Sequence, residues 1–214
     1  LRLLTRQFKG KLEGGQRLMF VTLASILKYP CASSEMDKNV IYKNNFGYFL
    51  SDQTAYNDII AAFGLSHEDG IAYRHTFVYL VEAADDICYR IIDMEDAHRI
   101  GILSREAIDA TFLMLIGKMS DNTDRTKEVL KKITDNNEAI SYLWAKCING
   151  LVNKAAETFF KNCQEIICGR FNSTLMDELE KQCPYLKKIN DISIQKIYNH
   201  PSVIEVEMAG YNVM

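Results

Sequence analysis

The sequence predicts an all-α fold, an irregular bundle of many helices. Apolar residues recur at steps of three and four over most of the 214 residues, which is the spacing of one helix face. No segment alternates between apolar and polar side chains, as a half-buried strand would. Glycine and proline fall between the periodic stretches, where they separate one helix from the next. We expect one helical domain over residues 1–214.

The first third of the sequence predicts three helices. Residues 1–8 have the pattern of a helix that glycines then end. Residues 18–28 predict a second helix with Lys28 in its last turn, where a cation interacts favourably with the helix dipole. A third helix is predicted from a cap at Ser51 to a terminating Gly64.

The longest predicted helix covers residues 73–102 and contains no glycine or proline before Gly101. Six carboxylates lie between residues 82 and 96 of this helix: Glu82, Asp85, Asp86, Asp93, Glu95 and Asp96. At about 100° per residue, four side chains fall within one quadrant of this helix: Asp85, Tyr89, Asp93 and Asp96. Val78 and Ile92 share that sector, so the acids lie beside side chains that favour burial. A buried carboxylate must be paired, hydrogen-bonded or bound to a metal, so this face indicates either a site or structural acids within the bundle.

The rest of the sequence predicts further helices at residues 105–119, 121–132, 137–168, 173–182, 192–198 and 201–214. Within the long stretch, Gly150 is expected to break the helix. The same stretch carries apolar side chains at four-residue steps, which predict a buried stripe: Leu143, Cys147, Leu151, Ala155 and Phe159. Pro201 suits the first position of the last helix, where Val203, Val206 and Tyr211 follow.

The composition is that of a soluble globular protein. Hydrophobic residues make up 48% and charged residues 25%, and the net charge of -3 gives no general reason to expect nucleic-acid binding. The six cysteines form no C-x-x-C pair, so we expect reduced thiols and a cytoplasmic protein. No segment is long and apolar enough for a membrane span. The chain opens at Leu1 within a helical pattern, which suggests a middle piece of a longer protein.

Three segments resemble a known family. E-A-A-D-D-I-C-Y, preceded by R-H and followed by D-M-E-D-A, resembles the last metal-binding segment of the deoxynucleoside triphosphate triphosphohydrolases. L-K-Y-P and the closing I-Y-N-H-P-S-V-I-E-V-E-M-A-G-Y resemble the same HD-domain phosphohydrolases, of which dGTPases are the bacterial type. The chain resembles only the part downstream of the H…HD motif, because none of its four histidines is followed by Asp. The resemblance therefore implies a partial HD-domain-like helical bundle.

The resemblance also implies a chemistry. In that family water attacks the α-phosphorus of a deoxynucleoside triphosphate, such as dGTP, and releases a deoxynucleoside and tripolyphosphate. Asp85 matches the final ligand of a divalent metal, Mg²⁺ or Mn²⁺. Lys28 matches a lysine that contacts the triphosphate. Tyr89 and Asp93 match residues that pack on the deoxyribose and accept a hydrogen bond from its 3′-hydroxyl.

Several alternatives stay open beside this interpretation. Asp85 could be a structural acid within a helix bundle, and Tyr89 could be a core residue. Asp93 could be a salt-bridge partner, and Lys28 could be a solvated lysine. The whole chain has a rival interpretation as an inactive helical scaffold or a regulatory nucleotide-binding module. An HD phosphodiesterase acting on other nucleotides is disfavoured, since Tyr89 and Asp93 suit a deoxyribose.

The resemblance further implies a homo-oligomer, with a hexamer as one form. Single-stranded DNA is an effector that the sequence leaves open. With one metal ligand of four, the 214 residues alone are expected to be inactive.

Overall fold

The structure, a computed structural model, describes residues 1–6, 15–119 and 123–213. In these ranges the fold is all-α, as the sequence predicts. Eleven α-helices occur there: α1 Arg2–Thr5, α2 Phe20–Ile26, α3 Gln53–Phe63, α4 Thr76–Arg99, α5 Arg105–Met119, α6 Thr123–Leu130, α7 Asn136–Lys161, α8 Cys163–Ile167, α9 Leu175–Gln182, α10 Tyr185–Ile192 and α11 Pro201–Val213. Short 3₁₀ turns cover Ser33–Glu35, Ile41–Lys43 and Leu50–Asp52, and a π-helix covers Ser193–Tyr198. The first helix ends at Thr5, because Arg6 is extended with a ψ of 135°, so the predicted extent to residue 8 is wrong. The glycines Gly10 and Gly14, which were expected to end it, lie outside the described residues.

The chain divides into two compact units. The first unit comprises Leu1–Ala83 and Phe159–Leu175, and the second comprises Ala84–Thr158 and Met176–Met214. The single domain that the sequence predicts over residues 1–214 stays a prediction.

The core of the first unit lies between α2 and α3. Leu23 and Ala24 of α2 pack with Ile59 of α3, and partly buried apolar residues surround them. Beside this cluster the rings of Tyr48 and Tyr56 stack with their centroids 4.0 Å apart. Burial of apolar area and close aromatic packing therefore hold these short elements together.

The core of the second unit is built on α5 and α7. Leu143, Cys147 and Leu151 of α7 are buried, as the four-residue spacing predicts. The Cys147 thiol donates to the backbone oxygen of Phe112 in α5, at a Sγ–O distance of 3.7 Å. Phe112 is itself fully buried, so the two helices share one apolar interior.

Two helix ends differ from the sequence predictions. Helix α2 ends at Ile26, because Leu27 has a non-helical ψ of 72° and the Lys28 amide donates to the Ile26 carbonyl at 2.9 Å. Lys28 therefore lies beyond the helix, and the expected dipole contact in a last turn is wrong. Ser51 does not cap α3, since it lies inside the 3₁₀ turn that precedes the helix. Gly64 does end α3, with a left-handed φ of 60°.

Gly150 does not interrupt α7, which is continuous from Asn136 to Lys161. A Cβ atom at Gly150 would lie 2.8 Å from the Cε atom of Met119. The glycine is thus a position of close side-chain approach within a helix, and its local cost is offset by that packing.

Candidate functional site

Helix α4 carries most of the residues that the sequence singled out. Its start is fixed by His75, whose ring Nδ1 accepts a hydrogen bond from the Phe77 amide at 3.2 Å. Burial lowers the pKa of His75, which favours the neutral ring that this acceptor role requires. The buried side of the second half of α4 is formed by Ile87, Ile91 and Met94.

Asp85 lies on the exposed side of α4, together with Tyr89 one turn later. The sequence puts Asp85 in one sector with side chains that favour burial, and this expectation of burial is wrong, because the apolar sector of the helix is centred on Ile87 and Ile91 instead. In the described part of the chain, no hydrogen bond or ion pair involves the Asp85 carboxylate. The ring of Tyr89 is 59% exposed, so its interpretation as a core residue is also wrong. The two residues present a carboxylate and an aromatic ring on one open face.

Asp93 lies one turn beyond Tyr89 and is half-buried. The hydroxyl of Tyr198, in the π-helix, donates a hydrogen bond to its Oδ2 atom. The pKa of Tyr198 is raised, first by burial and then by the hydrogen bond and the negative charge of Asp93. Arg90 acts in the opposite sense and lowers that pKa. Sequence reasoning did not single out Tyr198, although its I-Y-N-H-P segment was part of the resemblance.

The π-helix has one feature that local pattern alone does not predict. Residues 192–198 were expected to form a separate helix, whereas the structure joins them to α10 through a π-helix from Ser193 to Tyr198. A π-helix widens the turn and is frequent at functional sites. Here the last residue of that element is the one that reaches Asp93.

Lys28 belongs to the first unit, whereas the other three predicted site residues belong to the second. Its ammonium forms an ion pair with the Glu82 carboxylate, at an Nζ–Oε1 distance of 2.9 Å. Glu82 also binds Arg74, at an Nη1–Oε2 distance of 3.1 Å. Arg74 in turn donates from Nε to the Lys28 backbone oxygen at 2.8 Å. Lys28 is thus held by two residues that were not predicted as site residues.

The family resemblance implies a divalent metal, which needs several donor side chains close together. Across residues 1–6, 15–119 and 123–213, no group of three or more His, Cys, Asp or Glu side chains is close enough to hold a metal ion. The exposed Asp85 carboxylate is a hard oxygen donor of the kind that Mg²⁺ and Mn²⁺ prefer. The described residues therefore offer single carboxylate donors but no cluster of three or more such side chains. None of the described helices is long and apolar enough to cross a membrane.

Curated proteins provide a comparison over the whole chain, whereas no protein-family model matches the sequence. A deoxyguanosinetriphosphate triphosphohydrolase-like protein of Synechocystis sp. is 30% identical over 221 residues, covering 100% of this chain and 48% of the relative. A protein of the same name from Listeria monocytogenes is 30% identical over 207 residues, covering 94% and 43%. A deoxyguanosinetriphosphate triphosphohydrolase of Yersinia pestis is 25% identical over 215 residues, covering 92% and 41%. The chain spans less than half the length of these relatives.

Proposed function

Since the chain belongs to the deoxyguanosinetriphosphate triphosphohydrolase-like family, we propose that it is part of an enzyme that hydrolyses deoxynucleoside triphosphates. In the proposed reaction a water oxygen bonds to the α-phosphorus, and the bond from that phosphorus to the 5′-oxygen breaks. The 5′-oxygen leaves as the hydroxyl of the deoxynucleoside, and tripolyphosphate carries the new oxygen. We propose dGTP as one substrate of the full-length protein.

Asp85 is proposed to supply one carboxylate ligand of a divalent metal, Mg²⁺ or Mn²⁺. When bound, such an ion activates water and offsets phosphate charge. Its exposed position and the lack of a partner for its carboxylate among the described residues support this role, because such an oxygen donor need not give up a protein contact to bind a cation. We propose that the remaining ligands belong to the segment of the full-length protein that corresponds to the part of its relatives outside this chain.

Lys28 is proposed to contact the triphosphate. Its side chain is 40% exposed, so the ammonium can meet a ligand while its other side stays on Glu82. A compact ammonium with three donors can bind a carboxylate and a phosphate oxygen together.

Tyr89 and Asp93 are proposed to bind the deoxyribose. The exposed ring of Tyr89 offers a flat apolar wall, and the Asp93 carboxylate accepts a hydrogen bond from the 3′-hydroxyl. A carboxylate has about four acceptor positions on its two oxygens, so the bond from Tyr198 leaves capacity for a sugar hydroxyl. We add Tyr198 to this proposed sugar site.

The observation that carries the proposal is the arrangement of three side chains on α4. Asp85, Tyr89 and Asp93 follow one another at four-residue steps, so two carboxylates flank an aromatic ring along one helix. A helix face selected only for solubility would carry interspersed Lys and Glu instead.

The proposal is tested by Asp85→Ala in the full-length protein. The measurement is the release of tripolyphosphate from dGTP in the presence of Mn²⁺. We expect loss of turnover with an unchanged thermal unfolding midpoint, since Asp85 is exposed and its carboxylate makes no hydrogen bond or ion pair in the described part. The matched control is Asp96→Ala, another exposed acid of α4, which is expected to keep its turnover. Retained activity in Asp85→Ala would remove this residue from the site. Robust turnover by the 214 residues alone would contradict the shared metal site.

The second candidate is an inactive scaffold or a regulatory nucleotide-binding module. The bond from Tyr198 to Asp93 favours it, because that bond gives the carboxylate a structural role without any substrate. Dialysis of the full-length protein against labelled dGTP separates the two: binding without release of tripolyphosphate supports the module.

We also propose that the full-length protein is a homo-oligomer, with a hexamer as one form. The described residues of α11 support self-association, because none of them is buried and several are apolar: Ile204, Val206, Met208, Tyr211 and Val213. Sedimentation velocity would measure the number of subunits. A monomer at micromolar concentration would contradict this proposal.

A further inference from the structure

Three charged residues of the first unit form a closed ring of contacts. The Glu82 carboxylate binds the Lys28 ammonium through Oε1 at 2.9 Å and the Arg74 guanidinium through Oε2 at 3.1 Å. Arg74 completes the ring by donating from Nε to the Lys28 carbonyl at 2.8 Å. The side chain of Lys28 is therefore held from Glu82, while its backbone is held from Arg74.

Burial differs sharply among the three side chains. The Arg74 side chain is 1% exposed and that of Glu82 is 5% exposed, whereas that of Lys28 is 40% exposed. Two cations face one anion, so the ring carries a net charge of one positive unit. Because Lys28 is its accessible member, the excess charge is presented to solvent at the Lys28 ammonium. Such a charge favours an anionic ligand at that point.

The way in which Glu82 binds Arg74 points to a role beyond charge compensation. An acid that only neutralises a buried arginine commonly binds it through two parallel hydrogen bonds. Here one carboxylate oxygen is on Lys28 instead, and the Nη2 atom of Arg74 is buried without a hydrogen-bond partner among the described residues. The Cζ atom of Arg74 lies 5.9 Å from the ring centroid of Tyr29 and 5.5 Å from that of Tyr79. Both rings help to accommodate the guanidinium charge. The carboxylate is thus shared between the two cations at the expense of full pairing with Arg74.

We propose that Glu82 is a positioning residue, which orients the Lys28 ammonium for contact with the triphosphate of the substrate. This inference rests on the proposed function of Lys28. A free lysine side chain has many rotamers, and its ordering opposes ligand binding. Glu82 removes part of that cost before the substrate arrives, because it holds the ammonium in one direction. Arg74 keeps the Glu82 carboxylate in place and fixes the backbone of Lys28.

Positioning and charge compensation predict opposite signs for Glu82→Gln. Removal of the carboxylate charge leaves two cations without an anion, so the local potential becomes more positive. If charge alone mattered, the KM for dGTP would fall or stay unchanged. If Glu82 orients Lys28, the ammonium loses its anchor, and kcat/KM falls by about tenfold, mainly through KM.

The experiment is a double-mutant cycle in the full-length protein, with kcat and KM measured for dGTP. The variants are Glu82→Gln, Lys28→Met and their combination. We expect Glu82→Gln to lower kcat/KM in the wild-type background and to leave kcat/KM unchanged in the Lys28→Met background. Glu157→Gln is the matched control, since Glu157 also pairs with a lysine, Lys154, but in an exposed ion pair. It is expected to leave both constants unchanged.

The outcomes separate this inference from the proposed function. If Lys28→Met leaves kcat/KM unchanged, Lys28 does not contact phosphate. The proposed role of Lys28 and the positioning role of Glu82 are then both overturned. If Lys28→Met lowers kcat/KM but Glu82→Gln does not, or lowers it equally in both backgrounds, only the role of Glu82 is overturned. Should Glu82→Gln fail to fold, the same cycle is run with Glu82→Asp, which keeps the charge and shortens the side chain by one methylene. A loss of kcat/KM that occurs only in the wild-type background, where Lys28 is present, then supports positioning. An equal loss of kcat/KM in the wild-type and Lys28→Met backgrounds overturns it.

Discussion

The hydroxyl of Tyr198 donates a hydrogen bond to the carboxylate of Asp93, and the bond joins residues 105 positions apart in the sequence. It links the π-helix to the face of α4 that carries the proposed sugar site. A phenol is protonated at neutral pH, and burial raises the pKa of Tyr198 further, so Tyr198 acts as the donor and Asp93 as the acceptor. Tyr198 thereby sets the direction of a carboxylate that we propose to bind the 3′-hydroxyl.

Removal of this hydroxyl, in Tyr198→Phe, is expected to weaken the binding of a 3′-hydroxyl. Without its donor the Asp93 carboxylate loses its fixed orientation, and kcat/KM for dGTP in the full-length protein should fall by about tenfold. The decisive comparison uses 2′,3′-dideoxyguanosine triphosphate, which lacks the 3′-hydroxyl. For that nucleotide we expect little change between the variant and the wild type.

The matched control for this prediction is Tyr211→Phe, because Tyr211 is 81% exposed and its hydroxyl forms no hydrogen bond in the described part of the chain. Its kinetics should equal those of the wild type for both nucleotides. An equal loss for dGTP and the dideoxy analogue in Tyr198→Phe would contradict a role through Asp93 and the sugar.

Gly169→Ala is expected to destabilise the protein by about 2 kcal/mol or more. Gly169 has a left-handed φ of 69°, and a Cβ atom there would overlap the ring of Tyr73. Strain and overlap with an aromatic ring act in the same direction, since the ring cannot yield as a flexible chain would. Urea unfolding followed by circular dichroism measures the loss.

Gly150→Ala provides the contrast within α7. The new Cβ atom meets the flexible end of Met119, and alanine is better than glycine in a helix interior by about 1 kcal/mol. We expect a stability change within about 0.5 kcal/mol of zero, or a small gain, as the methionine moves aside. A loss as large as that of Gly169→Ala would show that this part of α7 cannot relax.

Alkaline titration should reveal late-titrating tyrosines. Burial is the leading cause that raises the pKa of five tyrosines: Tyr48, Tyr56, Tyr79, Tyr185 and Tyr198. For Tyr79 the value is about 12, although the nearby Arg74 acts to lower it. In the native protein, tyrosinate absorbance at about 295 nm should therefore lag behind that of the urea-unfolded protein, whose tyrosines titrate near pH 10.

The same shifts predict how stability depends on pH. A group whose pKa is higher in the folded protein stabilises the fold fully below the unfolded pKa of about 10. That contribution is lost as pH rises through the folded value, because the unfolded chain releases its proton first. The free energy of unfolding should fall between about pH 10 and pH 12, and Tyr79→Phe should make the fall shallower. An unchanged slope in Tyr79→Phe would contradict a buried, late-titrating phenol.

Much of the fold follows from local patterns. The helix predicted at residues 105–119 has those bounds in the structure, and the Ser104 hydroxyl accepts from the Ala107 amide at 3.3 Å, as a cap does. Gly64 and Gly169 end helices with positive φ, as expected of glycine. These features could be predicted because a helix and its ends depend on neighbours within about four residues.

Family membership was also accessible from sequence, through the E-A-A-D-D-I-C-Y segment, and the curated relatives confirm it. The amino-acid sequence by itself determined the helical elements, the buried stripe of α7 and the order of Asp85, Tyr89 and Asp93 on one helix. Only the tertiary structure decided that Asp85 is exposed, that Lys28 lies beyond α2 and is bound by Glu82, and that Tyr198 reaches Asp93. The physical reason is that periodicity describes the faces of one helix, whereas burial and pairing depend on which distant segments pack against each face.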